Sequence, residues 1–114
     1  GECIPLSEAL MDAASAVSGC GPAFVYVFIE ALADAGVASG LPRTTALSLA
    51  AQTVCGAAEM VLQTGLHPAA LKDAVCSPGG STIAGVCALD EGGFRSAAQK
   101  AVLASYRRNL QLGK

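Results

Sequence analysis

Charge is scarce in this sequence. Only 14% of its 114 residues are Asp, Glu, Lys or Arg, against about 25% in an average soluble domain. Seven basic and nine acidic side chains leave a net charge of −2. No basic stripe emerges, which argues against nucleic acid as the main partner. Aromatic residues are few, at 4%, and tryptophan is absent. There is one histidine, His67, and none of the five cysteines (Cys3, Cys20, Cys55, Cys76 and Cys87) falls in C-x-x-C spacing. That pattern argues against a zinc site. Free, mostly buried thiols in a reducing compartment are expected instead. The opening residues Gly1-Glu2-Cys3-Ile4-Pro5 lack the basic and apolar regions of a signal peptide, and lack an initiator methionine. The sequence reads as beginning in mid-protein. No stretch alternates as a strand, repeats, or falls into low complexity.

What the sequence has in excess is apolar mass. Hydrophobic residues make up 53%. A chain of this length has a large surface for its volume and cannot hide that much apolar area alone. A self-association surface is therefore expected. A membrane span is the rival explanation. It is rejected because Thr44–Ala58, read as the longest uncharged stretch, is too short and is interrupted by Ser48, Gln52 and Thr53.

Periodicity places helices along the whole chain. Leu6, Ala9, Leu10, Ala13 and Val17 share one face, predicting a helix over 6–17. Ser18-Gly19-Cys20-Gly21-Pro22 breaks it, and Pro22 suits the first turn of the next. Residues 22–37 are apolar around the circumference from Phe24 to Ile29, which predicts a helix buried on two or more sides. Pro42 opens a third helix, with Leu47, Ala51, Val54, Ala58 and Val61 as its stripe. Ala46, Ala50, Gly56 and Ala57 make its other faces small, and Gly65 ends it. A short helix from His67-Pro68 to Val75 follows, with His67 read as a cap or surface residue. Another helix begins near Thr82. Phe94–Leu112 reads as the last, with Ala97, Ala101 and Ala104 on a small face and Arg107, Arg108 and Lys114 near its negative end. The predicted class is all-α, a bundle of about five to six helices with short connections.

Chemistry concentrates in Cys76-Ser77-Pro78-Gly79-Gly80-Ser81-Thr82. Pro78 fixes one backbone angle, and two glycines permit conformations that a Cβ would forbid. The helix that opens there offers unpaired N–H groups and a positive dipole end. Ser77, Ser81 and Thr82 add hydroxyls able to donate to a carboxylate or phosphate. The stretch can therefore cradle an anion. Taken alone, such residues are more often a Ser-Pro turn with glycine punctuation. Elsewhere the signals are thin. Cys76 is read as packing, Glu8 and Asp12 as solvated like charges, and Arg43, Lys72 and Arg95 as single cations that could meet an anionic partner. Gly19-x-Gly21 lacks a third glycine and a preceding strand, so it is no dinucleotide fingerprint. Nothing here is a self-contained nucleophile, metal set or cofactor loop.

Taken together, these stretches resemble the C-terminal domain of pyrroline-5-carboxylate reductases. The long signature runs from Leu71 through Val75-Cys76-Ser77-Pro78-Gly79-Gly80-Ser81-Thr82-Ile83-Ala84-Gly85-Val86 to Leu89-Asp90. Asp12 to Phe24, Glu30 to Pro42 and Gly92-Gly93-Phe94-Arg95 agree as well, so the resemblance covers nearly the whole chain. It implies that residues 1–114 are a helical C-terminal dimerisation and substrate-binding domain. Its fold would be the interleaved, 6-phosphogluconate dehydrogenase C-terminal-like type, preceded in the parent protein by a Rossmann NAD(P)-binding domain absent here. The implied reaction is NAD(P)H-dependent reduction of 1-pyrroline-5-carboxylate to L-proline. NADPH or NADH would be held mainly by the absent domain.

Carried onto this chain, Ser77, Gly79, Gly80, Ser81 and Thr82 would hold the substrate carboxylate. The Thr82 hydroxyl would bond the ring nitrogen and act as the catalytic group. Glu8 and Ser15 match positions near the substrate in the family. Ser81, Cys20 and Ala74 depart from common family residues, and Ala74 bears on cofactor preference. The implied partners are a second copy, with a decamer as a pentamer of dimers, and the small-molecule substrate; no nucleic acid and no membrane. The isolated chain is predicted to be inactive. The expected compartment is the cytoplasm, with a mitochondrial parent as the alternative. Two other readings stand beside this one: a non-catalytic helical dimerisation module, and the helical domain of a related imine or hydroxyacid dehydrogenase.

Overall fold

The computed structural model describes residues 6–113, and among them the secondary structure is helical with no strand. After a 3-10 turn at Glu8–Leu10 come six α-helices: α1 (Met11–Ser18), α2 (Gly21–Ala38), α3 (Arg43–Thr64), α4 (Pro68–Ala74), α5 (Ser81–Glu91) and α6 (Phe94–Leu112). The predicted first helix over 6–17 is thus divided: its first residues form the 3-10 turn, and the α-helix starts at Met11. The other predicted helices agree in place. Lys114 and the N-terminal residues 1–5, including Cys3, lie outside the described residues.

The chain divides into two compact units, Gly1–Tyr26 with Phe94–Lys114, and Val27–Gly93. In the first unit α1 packs on α6. Ala16 is fully buried on α1, and the amide of Asn109 on α6 donates to the Asp12 carbonyl at 3.3 Å. The inward stripe of α6 is Ala101, Val102, Ser105, Tyr106 and Asn109, all half-buried. The expected alanine face differs, since Ala97 and Ala104 are exposed. Arg107 and Arg108 stand just before the last turn, where Arg108 donates to Gln111 at 3.1 Å. Ser15 accepts through its carbonyl from both Gly19 and Cys20, at 2.8 and 3.1 Å, so the chain turns from α1 into α2 without losing its bonding.

In the second unit the core is three alanines, Ala33 on α2 and Ala46 and Ala50 on α3, flanked by Ile29, Leu32 and Val37. Small side chains let the two backbones approach. Gly36 carries this furthest: a Cβ there would stand 3.2 Å from the Ala46 Cβ and 3.3 Å from Leu41 Cδ1. The Gly36 carbonyl accepts from Ser39 and Leu41, closing the hairpin. Arg43 bridges back to Asp34 at 2.5 Å. Gly65, at φ 67°, ends α3 in a left-handed cap.

Three expectations need correction. The predicted stripe of α3 is only partly its packed face: Val54 and Val61 are half-buried, but Leu47 is 44% exposed and Ala51 and Ala58 are exposed, while the small-residue positions Ala46 and Ala50 are buried. Likewise α2 is covered on one side only. Phe24, Phe28, Leu32 and Gly36 are half-buried one turn apart, while Tyr26 and Val27 are 69% and 65% exposed. The thiols are not buried either: Cys20 and Cys76 are half-buried, Cys55 and Cys87 exposed. All three share one cause. Among the described residues no side chain larger than alanine is fully buried, so one copy of this chain supplies too little surface to cover its own apolar faces.

The dismissal of a span by length does not hold. The uncharged run Ala13–Ile29 is longer than Thr44–Ala58. The helical stretches Glu8–Ala38 and Arg43–Thr64 each contain an 18-residue window, with mean hydropathy 1.6 and 1.3, that is long and apolar enough to cross a bilayer by length and composition alone.

Candidate functional site

The Ser77–Thr82 segment is built by two local devices. The first is a tight turn. Ser77 accepts through its carbonyl from the Gly80 N–H at 3.1 Å, with Pro78 in the second position and Gly79 in the third at φ 69°. A positive φ at that third position is what a type II turn demands, and glycine reaches it without strain. The second device is the helix start. Gly80 is the N-cap of α5, extended at φ −81° and ψ 176°, and it brings no side-chain cap. The first intrahelical bond is Ala84 N–H to the Gly80 carbonyl, at 3.4 Å. The N–H groups of Ser81, Thr82 and Ile83 therefore precede the helical ladder and point out of its positive end.

The turn also fixes the space above Gly80. A Cβ at that position would stand 2.6 Å from the Ser77 hydroxyl oxygen and 3.3 Å from its carbonyl. Ser77 thus occupies the ground that a side chain at 80 would need. Thr82, in the first turn of α5, is exposed, as are Ser77, Gly79 and Ser81, while Gly80 and Ile83 are half-buried. This is a set of amide donors framed by three hydroxyls, able to receive a small planar anion.

The five cradle residues are brought together by one turn. Glu8 and Ser15 belong to the other unit. Glu8 opens the 3-10 turn, and Ser15 sits exposed on α1. The three cations read as open to an anionic partner are all engaged within the chain. Arg43 pairs with Asp34, Lys72 pairs with Asp73 at 3.2 Å, and Arg95 has a partner as well. His67 caps α4, its Nδ1 accepting from the Ala69 N–H at 3.0 Å. Gly19 follows α1 and Gly21 opens α2, with no strand before them, so they form no dinucleotide turn. No group of three or more His, Cys, Asp or Glu among the described residues is placed to hold a metal ion. The Asn109–Asp12 tie has no local sequence signal, because its partners are 97 residues apart.

Comparison with known proteins decides what kind of domain carries this turn. A family model described as pyrroline-5-carboxylate reductase dimerisation matches residues 8–112. The chain belongs to that family. Pyrroline-5-carboxylate reductase from Synechocystis is 57% identical over the whole chain, which covers 43% of that protein. The Escherichia coli enzyme is 49% identical, again over the whole chain and 42% of its own length. Among solved structures, the Plasmodium falciparum pyrroline carboxylate reductase with NADP bound superposes with a TM-score of 0.91 and 42% identity. That match covers 96% of this chain and 43% of the other. The Streptococcus pyogenes enzyme gives the same TM-score at 38% identity, covering 96% and 42%. The chain therefore spans less than half the length of the relatives it matches. The all-helical dimerisation fold of the pyrroline-5-carboxylate reductases is the fold of this chain.

Proposed function

We propose that this chain is the dimerisation and substrate-binding part of a pyrroline-5-carboxylate reductase, which reduces 1-pyrroline-5-carboxylate to L-proline in proline biosynthesis. The observation that carries the proposal is the glycine-capped start of α5, with its outward amides and the Thr82 hydroxyl one residue beyond Ser81. The substrate has a carboxylate on the carbon next to an imine nitrogen. Amides of Ser81, Thr82 and Ile83 receive the carboxylate, helped by the Ser77 and Ser81 hydroxyls. Gly79 and Gly80 carry no Cβ to stand between the backbone and the ligand. Thr82 then reaches the ring nitrogen. Its hydroxyl orients the imine carbon and supports the proton that the nitrogen carries once reduced.

A nicotinamide cofactor supplies the hydride. Nothing among the described residues has the strand-and-glycine form of a dinucleotide turn, so NADPH or NADH is assigned to a Rossmann domain elsewhere in the parent protein. The uncovered faces of α2 and α3 are assigned to a second copy, giving a homodimer that can build further into a decamer. The site of action is the cytoplasm.

The test follows NAD(P)H oxidation by the full-length gene product with pyrroline-5-carboxylate, for wild type and Thr82→Val. Loss of one directed donor at a reacting atom lowers kcat by about a hundredfold. Wild-type turnover with an unaffected variant would remove Thr82 from the reacting centre. A well-folded parent that never turns over would leave a dimerisation module without chemistry.

A further inference from the structure

We propose, resting on the reading of the cradle as the substrate's carboxylate site, that Gly80 is a positioning residue. It lacks a side chain so that the Ser77 hydroxyl can stand over the start of α5. The two glycines of the turn differ in why they are glycine. Gly79 has φ 69°, a conformation that residues with a Cβ rarely adopt. Among the described residues a Cβ there would meet nothing within 4 Å. Its need lies in the backbone. Gly80 is the reverse case. Its φ of −81° and ψ of 176° belong to the extended region open to any residue. A Cβ there, however, would stand 2.6 Å from the Ser77 hydroxyl oxygen, too close for the two to coexist.

What would yield to that Cβ is the hydroxyl. It is the end of a short rotatable side chain with three staggered positions, and a Cβ at 80 removes the one it holds. The other contacts are milder. The Ser77 carbonyl oxygen would lie at 3.3 Å, which asks for a shift of a few tenths of an ångström, and the Ser77 Cβ at 3.8 Å, an ordinary distance. An alanine at 80 therefore keeps the turn and the helix start but swings the hydroxyl away.

The fold itself makes no use of that hydroxyl. The turn is closed by the Ser77 carbonyl, which accepts from the Gly80 N–H at 3.1 Å, and among the described residues no hydrogen bond engages the Ser77 side chain. The hydroxyl is exposed. Held beside the Gly80 backbone, it adds a donor next to the outward amides of α5, and its bond to a carboxylate there is charge-assisted. Gly80 thus acts on the ligand only through Ser77.

Steady-state kinetics of the full-length gene product with pyrroline-5-carboxylate tests this as a cycle of Ser77→Ala, Gly80→Ala and the double variant. Each single change is expected to raise KM about tenfold, the size of one lost hydrogen bond to a charged group. Little change is expected in kcat or Tm. The double variant should match Ser77→Ala, because the alanine at 80 then has no hydroxyl to displace. An active wild type whose Gly80→Ala variant keeps its KM, or whose two effects multiply in the double variant, would overturn the proposal alone. A Gly80→Ala protein that fails to fold or loses much of its Tm would also overturn it, since glycine would then be a need of the fold. A well-folded wild type without turnover would instead remove the substrate reading, and the role of Gly80 with it.

Discussion

The cradle and the long helices are finished to different degrees within one chain. The Ser77–Gly80 turn is closed by its own 3.1 Å bond and its own glycines, and everything that shapes it lies within six residues. The helices α2 and α3 also form locally, but their packing is unfinished. They touch through alanines and Gly36, while Tyr26, Val27, Leu49, Met60 and Leu62 are left to solvent, the last 82% exposed. The difference teaches which part of the molecule one copy leaves uncovered. Backbone geometry is a local problem that one chain can solve, whereas covering apolar area needs more surface than 114 residues supply.

Substitutions can pull the two apart. Val27→Asp has the largest expected effect. On a side chain that stays 65% exposed it would change stability by no more than about 0.5 kcal/mol. On a face covered by a second copy it introduces an unpaired buried charge, costing about 3 kcal/mol or more per protomer. Sedimentation should then show dimer giving way to monomer, with a lower Tm. A variant that remains a stable dimer would mean that this face of α2 is not the covered one.

Gly79→Ala comes next and acts on the other region. At φ 69° a Cβ costs about 1 kcal/mol or somewhat more in the turn. The expected result is a raised KM for pyrroline-5-carboxylate in a protein whose dimer is unchanged. Equal damage to both would show that turn and interface are coupled. Arg43→Ala should do least. Its ion pair with Asp34 has side chains 52% and 60% exposed, and exposed pairs contribute under about 0.5 kcal/mol after screening by solvent. Thermal unfolding at low and high salt would reveal a larger role as a salt-dependent loss of Tm.

The sequence made most of the fold legible, because helix boundaries are written in local chemistry. Pro42 and Pro68 mark starts, Gly65 and the Gly92-Gly93 pair mark ends, and the observed bounds of α3 and α6 follow them closely. The Ser77–Gly80 turn and the helix start after it were legible for the same reason, as a proline and two glycines ahead of a helical apolar run. Faces were less legible. On α3 the covered positions Ala46, Ala50, Val54 and Val61 are drawn partly from the apolar stripe and partly from the small face, and periodicity does not say which of them meet their own chain. The Asp12–Asn109 bond and the engagement of Arg43 by Asp34 also needed coordinates, since neither partner announces the other.

By itself, then, the sequence determined the helices, their punctuation and a turn that Pro78 restricts and Gly79 makes reachable. Those features depend on φ preferences and on hydrogen bonds between near neighbours, which act over a few residues. Only the tertiary structure decided that alanines make the close contacts while larger side chains face outward. That outcome depends on which surfaces meet across long stretches of chain, and burial is a property of the whole assembly of faces and not of any one segment.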